Sequence, residues 1–200
     1  MGSDIKTYQC ADLAQLETAL SKMPPGSLFR GQTREYYRQD GGPDIRTSFD
    51  RKGCVPHYML KWQFYAKAML QSFVRSFDGS EDLATDQAIL QHYGWRSFFV
   101  DTTSRAEVAA WFAAYDYKEE IFVQLAEDCW EDPAFIRRTK SQYVAADSNA
   151  VIYVFNRKEL RRQNVGVVDL VEITTEEGSQ RCSAQSAFMV GPMYGQFPDS

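Results

Sequence analysis

The chain has 200 residues and a net charge of −5, from 22 basic and 27 acidic side chains. A hydrophobic fraction of 44% with 24% charged residues excludes disorder and a long coiled coil. One domain of this length buries a core without help from metal or disulfide, and no apolar run approaches the ~18 residues of a membrane span.

Taken in chain order, residues 5–8 read as a short strand. Asp12 then caps a helix with Leu13, Leu16 and Leu20 on one face, stopped by Pro24, Pro25 and Gly26. Residues 27–32 read as a strand, and residues 33–55 as a long polar loop. Over residues 56–77, Met59, Trp62, Tyr65, Met69, Leu70, Phe73 and Phe77 recur at three and four, which predicts an amphipathic helix. A second helix follows over residues 83–93, ended by Gly94 in a left-handed cap. Residues 97–100 predict a buried strand. Ser104 with Glu107 reads as a capping box that opens a helix to Tyr115.

Residues 116–148 read as an acidic excursion with a strand near 121–125 and a short helix over 133–140. Strands are expected over 150–155, 165–173 and 183–190. A short basic helix or turn lies at 157–162, and Glu176, Glu177, Gly178 and Ser179 read as a loop. The expected order puts helices in the N-terminal half and strands after them, an α+β pattern in one domain spanning 1–200, with 116–148 as an insertion.

Cys10, Cys54, Cys129 and Cys182 stand too far apart for a CxxC metal or redox centre, and no metal is expected. They read as reduced thiols of a cytoplasmic protein. The acidic balance gives no general reason to bind nucleic acid, and no membrane partner is expected. Arg157, Lys158, Arg161 and Arg162 read as a solvated face.

Three segments remote from one another resemble the FRG-domain family. Leu28-Phe29-Arg30-Gly31-Gln32 carries its Phe-Arg-Gly. Residues 89–94, ending His92-Tyr93-Gly94, and Asp101 with Thr103 resemble its central motif. Arg181, Ala184 and Gln185, with Phe188 behind them, resemble its last motif. The motif order is similar to that of the ADP-ribosyltransferase fold, which implies a bent or split β-sheet. By that analogy Arg30, the run Thr102-Thr103-Ser104 and Gln185 hold the three corners of a cleft for a nucleotide such as NAD. The implied activity is transfer or hydrolysis of ADP-ribose, as in a bacterial toxin or anti-phage effector acting on a protein target or on the nucleotide itself.

Breaking the nicotinamide–ribose bond develops positive charge on the ribose, so a protein must grip the diphosphate and place negative charge near the cation. Arg30 suits the first task, since a planar guanidinium binds phosphate oxygens in bidentate fashion. Gly31 lets a ligand approach the backbone, and Gln32 flanks the same strand. Tyr93, Trp95 or Tyr36 can stack the ring, while Thr102, Thr103 and Ser104 can line the ribose wall.

Arg30 and Gln185 are the catalytic candidates, but an amide has no charge and cannot serve as a base. Either Glu172, Glu177 or Asp101 supplies the charge, or the domain only binds. Each residue also has a plainer use. Arg30 can be a structural ion-pair partner, Tyr93 a core residue, Asp101 a loop organiser and Gln185 a bridge between strands. His92, in the last turn of its helix, can favour the helix dipole as a cation.

Overall fold

The computed structural model describes residues 6–39, 41–52, 70–72, 74–75, 83–125, 135–147 and 149–192. The architecture is mixed α+β. Helix α1 (Leu13–Ser21) begins at Asp12, whose carboxylate accepts from the Gln15 N–H, and leads into strand β1 (Leu28–Gln32). A loop and the short helix α2 (Ser48–Lys52) follow. Helix α3 (Leu83–His92) ends at Gly94 with φ +91°, the left-handed turn that only glycine adopts at no steric cost. Strand β2 (Val100–Thr103) runs directly into helix α4 (Ala106–Ala114).

The chain then forms an antiparallel hairpin of β3 (Tyr115–Leu125) and β4 (Phe135–Ala145), returns as β5 (Val151–Phe155), and turns through α5 (Arg157–Arg162). Strand β6 (Val165–Asp169), helices α6 (Leu170–Ile173) and α7 (Glu176–Gln185), and strand β7 (Ala187–Pro192) complete it.

Five strands make one sheet in the order β5-β1-β2-β7-β6, with every neighbouring pair antiparallel. Alternating residues face opposite sides of the pleat. One side packs Ala187 and Met189 with Phe99 against Ala88, Ile89 and Leu90 of α3, Leu170 of α6 and Cys182 of α7. The other carries Leu28, Phe188 and Val190 beneath Phe155, Leu160, Val165 and Val167. Each large side chain buried in these clusters contributes roughly 1.5–3 kcal/mol.

Helix α4 approaches β1 at Gly31, where an added Cβ would stand 1.8 Å from the Ala109 carbonyl oxygen. The strand therefore needs glycine for packing. The space that Gly31 leaves, read from the sequence as room for a ligand, is filled by helix.

Several expectations change. Helices are not confined to the N-terminal half, because α5, α6 and α7 lie in the second. The run Glu176 to Ser179 is the first turn of α7: Thr175 accepts from the Gly178 N–H, and the two glutamates suit the helix dipole. Strand β7 accordingly begins at Ala187, after Ser186 closes the helix at φ +43°. The strand expected over 165–173 ends at Asp169, whose carboxylate caps α6.

Helix α4 has no Ser104 capping box. Its cap is Arg105, whose N–H donates to Thr103 Oγ1 at 3.0 Å, and Glu107 pairs with the Arg105 guanidinium at 2.7 Å. Strand β2 starts at Val100, later than the expected strand over 97–100. No strand occupies residues 6–8, and no residue of α1 is fully buried: Leu13 is exposed, and Leu16 and Leu20 are half-buried. Most of the helix expected over 56–77 lies outside the described residues; residues 70–72 are helical, whereas Val74 forms a β-bridge with Thr174 and residue 75 is in a turn.

Of the helix expected over 133–140, residues 135–140 are instead part of β4, and 133–134 lie outside the described residues. A strand there turns its odd and even residues to different sides, and one side of the hairpin gathers aromatic rings. Trp111 lies 4.6 Å from Tyr143 and 5.3 Å from Tyr115, and Tyr117 lies 5.3 Å from Tyr143, between ring centroids. Toward its far end the hairpin exposes Ile121, Phe122 and Val123. Among the described residues no helix is long and apolar enough to cross a membrane.

Candidate functional site

Strands β1 and β2 share a single register pair, Phe29 with Thr103. Beyond it the Arg30 side chain lies along the seam, 15% exposed. Its Nη1 donates to the Asp101 carbonyl oxygen at 2.9 Å, and its Nε donates to Gln32 Oε1 at 3.2 Å. The Asp101 carboxylate, 50% exposed, stands 3.9 Å from Nη1, an ion pair too long for a hydrogen bond.

A relay of polar groups fixes that carboxylate. Gln91 Nε2 donates to Asp101 Oδ2 at 3.1 Å, while the Ser48 and Ser97 hydroxyls each donate to Gln91 Oε1 at 3.0 Å. A carboxylate only accepts, so the bond to Asp101 settles which end of the amide faces the aspartate. Ser97 is tied in turn by its N–H to Ser48 Oγ at 2.8 Å. The loop, α3 and β2 thus meet at one polar knot beside Arg30.

The remaining predicted residues fall into two groups. Thr103 and Gln185 come together, but through backbone: Thr103 Oγ1 donates to the Gln185 carbonyl oxygen at 2.6 Å. Thr102 is buried and donates to the Phe188 carbonyl oxygen at 3.0 Å. Ser104 is exposed, and its N–H donates to the Ser186 carbonyl oxygen at 3.2 Å. These hydroxyl-bearing residues join β2 to the end of α7 and to β7.

Tyr93 belongs to a second cluster. Its hydroxyl donates to the Gly178 carbonyl oxygen at 3.2 Å, and the Arg181 guanidinium lies over its ring at 5.8 Å. Partial burial raises its pKa, so it remains a neutral phenol. His92 packs edge-on to Tyr93 with its Nε2 buried and unpartnered among the described residues. Burial, assisted by Arg181, lowers its pKa to about 4, against a smaller opposing pull from Asp101. It is therefore neutral at pH 7, and the expected cationic helix cap is not its role.

Tyr153, Asp44 and Gln91 escaped the sequence reading. Tyr153 is the register partner of Arg30 on β5 and shares its side of the sheet. Its signal was a phenol inside the apolar run of residues 151–155. Gln91 was legible only as the residue before His92-Tyr93-Gly94, and Asp44 carried no signal in its loop.

Among the described residues no cluster of three or more His, Cys, Asp or Glu could hold a metal ion. A surface hollow of about 370 Å³ opens beside α1, lined by Tyr8, Cys10, Asp12, Gln15 and Lys22 among others. It contains none of the predicted site residues. Compared with family models, with curated proteins and with solved structures, the chain gave no match.

Proposed function

We propose that the chain is an FRG-like domain of ADP-ribosyltransferase-like arrangement that binds a nucleotide of the NAD type at the seam between β1 and β2. The observation that carries this reading is Arg30, held between two strands joined by one register pair, with the part-exposed Asp101 carboxylate beside it at 3.9 Å. A guanidinium fixed in this way is organised before any diphosphate arrives, which lowers the cost of ordering on binding.

If the domain also breaks NAD, Asp101 is better suited than Gln185 to supply negative charge, because it is the carboxylate that lies against Arg30. The nicotinamide–ribose C–N bond breaks, nicotinamide leaves neutral, and water or an acceptor hydroxyl bonds to the ribose carbon with loss of a proton. Asp101 then faces the developing cation. An enzyme of this kind acts as a toxin or an anti-phage effector by consuming a cytoplasmic nucleotide.

A second reading, a non-catalytic ligand- or protein-binding module, is favoured by one observation. Gln185 carries no charge, and its carbonyl is committed to Thr103.

Isothermal titration with NAD, ADP-ribose and nicotinamide, repeated on Arg30→Gln, tests the binding claim. The expected result is heat and a raised melting temperature with NAD and ADP-ribose, both lost in the variant. No heat and no thermal shift at millimolar nucleotide would overturn it.

A further inference from the structure

The hairpin of β3 and β4 is a sheet of two strands, each 11 residues long, and among the described residues neither outer edge has a strand against it. A hairpin alone is marginally stable in water, and an unpaired edge is a template for another strand. Strand β3 exposes apolar side chains at both ends, Tyr115 and Tyr117 near the sheet domain and Ile121, Phe122 and Val123 at the far end. On the face that Tyr117 shares with Tyr143 and Trp111, the near end is aromatic, and the odd residues Ile121 and Val123 make the far end aliphatic.

Charge decides what fits this edge. Strand β4 carries Arg137, Arg138 and Lys140 and no acid, so two copies of it repel. Setting β3 of one copy against β4 of the next repeats a hairpin every two strands, about 10 Å. Domains of this length have a radius of gyration of about 16 Å and cannot stack at that spacing. Strand β3 against itself is different, because it carries Lys118 between Asp116 and Glu120.

A two-fold axis between identical antiparallel strands sets one residue against its own copy. With the axis at Lys118 or at Glu120, like charges meet and Lys118 faces no acid. With the axis at Tyr117, Lys118 faces Asp116, which the Thr33 hydroxyl already engages at 2.7 Å, and residues 121–123 stay uncovered. With the axis at Glu119, Lys118 faces Glu120 twice, and Tyr117 faces Ile121, a favourable pairing of an aromatic with a β-branched side chain.

We infer that β3 pairs with β3 of a second copy of this chain about an axis at Glu119, joining two hairpins into one four-stranded sheet. The aliphatic far end of each strand then lies beside the aromatic near end of the other. Glu119 meets its own copy on the axis, a like-charge pair that limits the dimer's strength. The pairing is independent of the nucleotide reading.

Sedimentation velocity of the full chain over a roughly hundredfold range of concentration tests it, with wild type expected to form a reversible dimer. Lys118→Glu should weaken that dimer by about tenfold or more, because two attractive pairs become repulsive. Glu120 is the register partner of Lys140 within its own hairpin, so the rescue variant is Lys118→Glu/Glu120→Lys/Lys140→Glu, which should restore dimerisation. Glu119→Gln keeps an acceptor for the Tyr117 hydroxyl and removes the charge from the axis, so it should tighten the dimer by roughly twofold or more.

A wild type that is monomeric throughout overturns the inference. So does a dimer indifferent to Lys118→Glu, which has its interface elsewhere. Failure of the triple variant to dimerise, or a dimer left unchanged or weakened by Glu119→Gln, overturns the pairing about Glu119.

Discussion

Arg30 on β1 reaches across the sheet to the backbone of Asp101 on β2, its Nη1 donating to the carbonyl oxygen at 2.9 Å where the two strands no longer pair. A side chain thus performs a bond that sheet backbone normally makes, and it brings a guanidinium and a carboxylate to the same gap. Arg30→Lys keeps the charge but loses the fork and the Nε bond to Gln32. The expected outcome is a fold intact by circular dichroism, a stability loss of about 1–2 kcal/mol in urea, and nucleotide affinity down by roughly tenfold or more. A variant as tight as wild type would show that the guanidinium geometry is irrelevant to binding.

Gly31 makes the opposite kind of contribution. Its missing Cβ lets the α4 backbone lie on β1, and an alanine would place a carbon 1.8 Å from the Ala109 oxygen. Backbone on both sides cannot swing away as a flexible side chain can. Gly31→Ala should therefore cost about 3 kcal/mol or more, read as a lower denaturation midpoint at unchanged slope. A cost below ~1 kcal/mol would mean that α4 slides freely on the sheet.

His92 gives the fold a pH dependence with a definite sign. Its folded pKa of about 4 lies below the ordinary 6.5, so between these values the unfolded chain binds more protons than the folded one. Stability contributed by the neutral ring is present above pH 6.5 and is lost as pH falls toward 4, to an extent of about 3 kcal/mol. The His92→Gln variant should show a shallower loss of stability between pH 6.5 and 4.5 than wild type, measured by urea melts at each pH. Parallel curves would place His92 in solvent.

How much of this was legible in the sequence differs by element. Helices with a start or stop signal of their own were readable: Asp12 before α1, and Gly94 after α3. Strand β5 announced itself by a short apolar run, and β1 by following the Pro24-Pro25-Gly26 turn. What failed was local chemistry overruled by context. The stretch 176–185 is too polar to look like a buried element, yet Thr175 and two early glutamates start a helix that covers the sheet with Cys182. Residues 135–140 are settled as strand only by pairing with β3, a long-range effect that a window of sequence does not contain. At the site, the meeting of Arg30 with Asp101 was not predictable, since it depends on where the β1–β2 ladder stops. Thr102 and Thr103 look like ribose ligands in sequence, but their hydroxyls bond backbone carbonyls instead.

Gln185 distinguishes a lapsed enzyme from a binder. In Gln185→Glu the backbone bond from Thr103 is retained, and a carboxylate is added at the end of α7. If the arrangement is a degenerate transferase, the variant should hydrolyse NAD at a rate at least tenfold above wild type, followed by release of nicotinamide. Equal inertness of wild type and variant, with nucleotide binding preserved, assigns the domain to binding alone.

Hydrogen exchange read by mass spectrometry, with and without ADP-ribose at saturating concentration, locates the ligand directly. Peptides covering residues 28–33 and 98–104 should slow on addition of ligand while the hairpin over residues 115–145 exchanges as before. Unchanged exchange along the seam, or slowing confined to another part of the chain, would contradict a nucleotide site between the two strands.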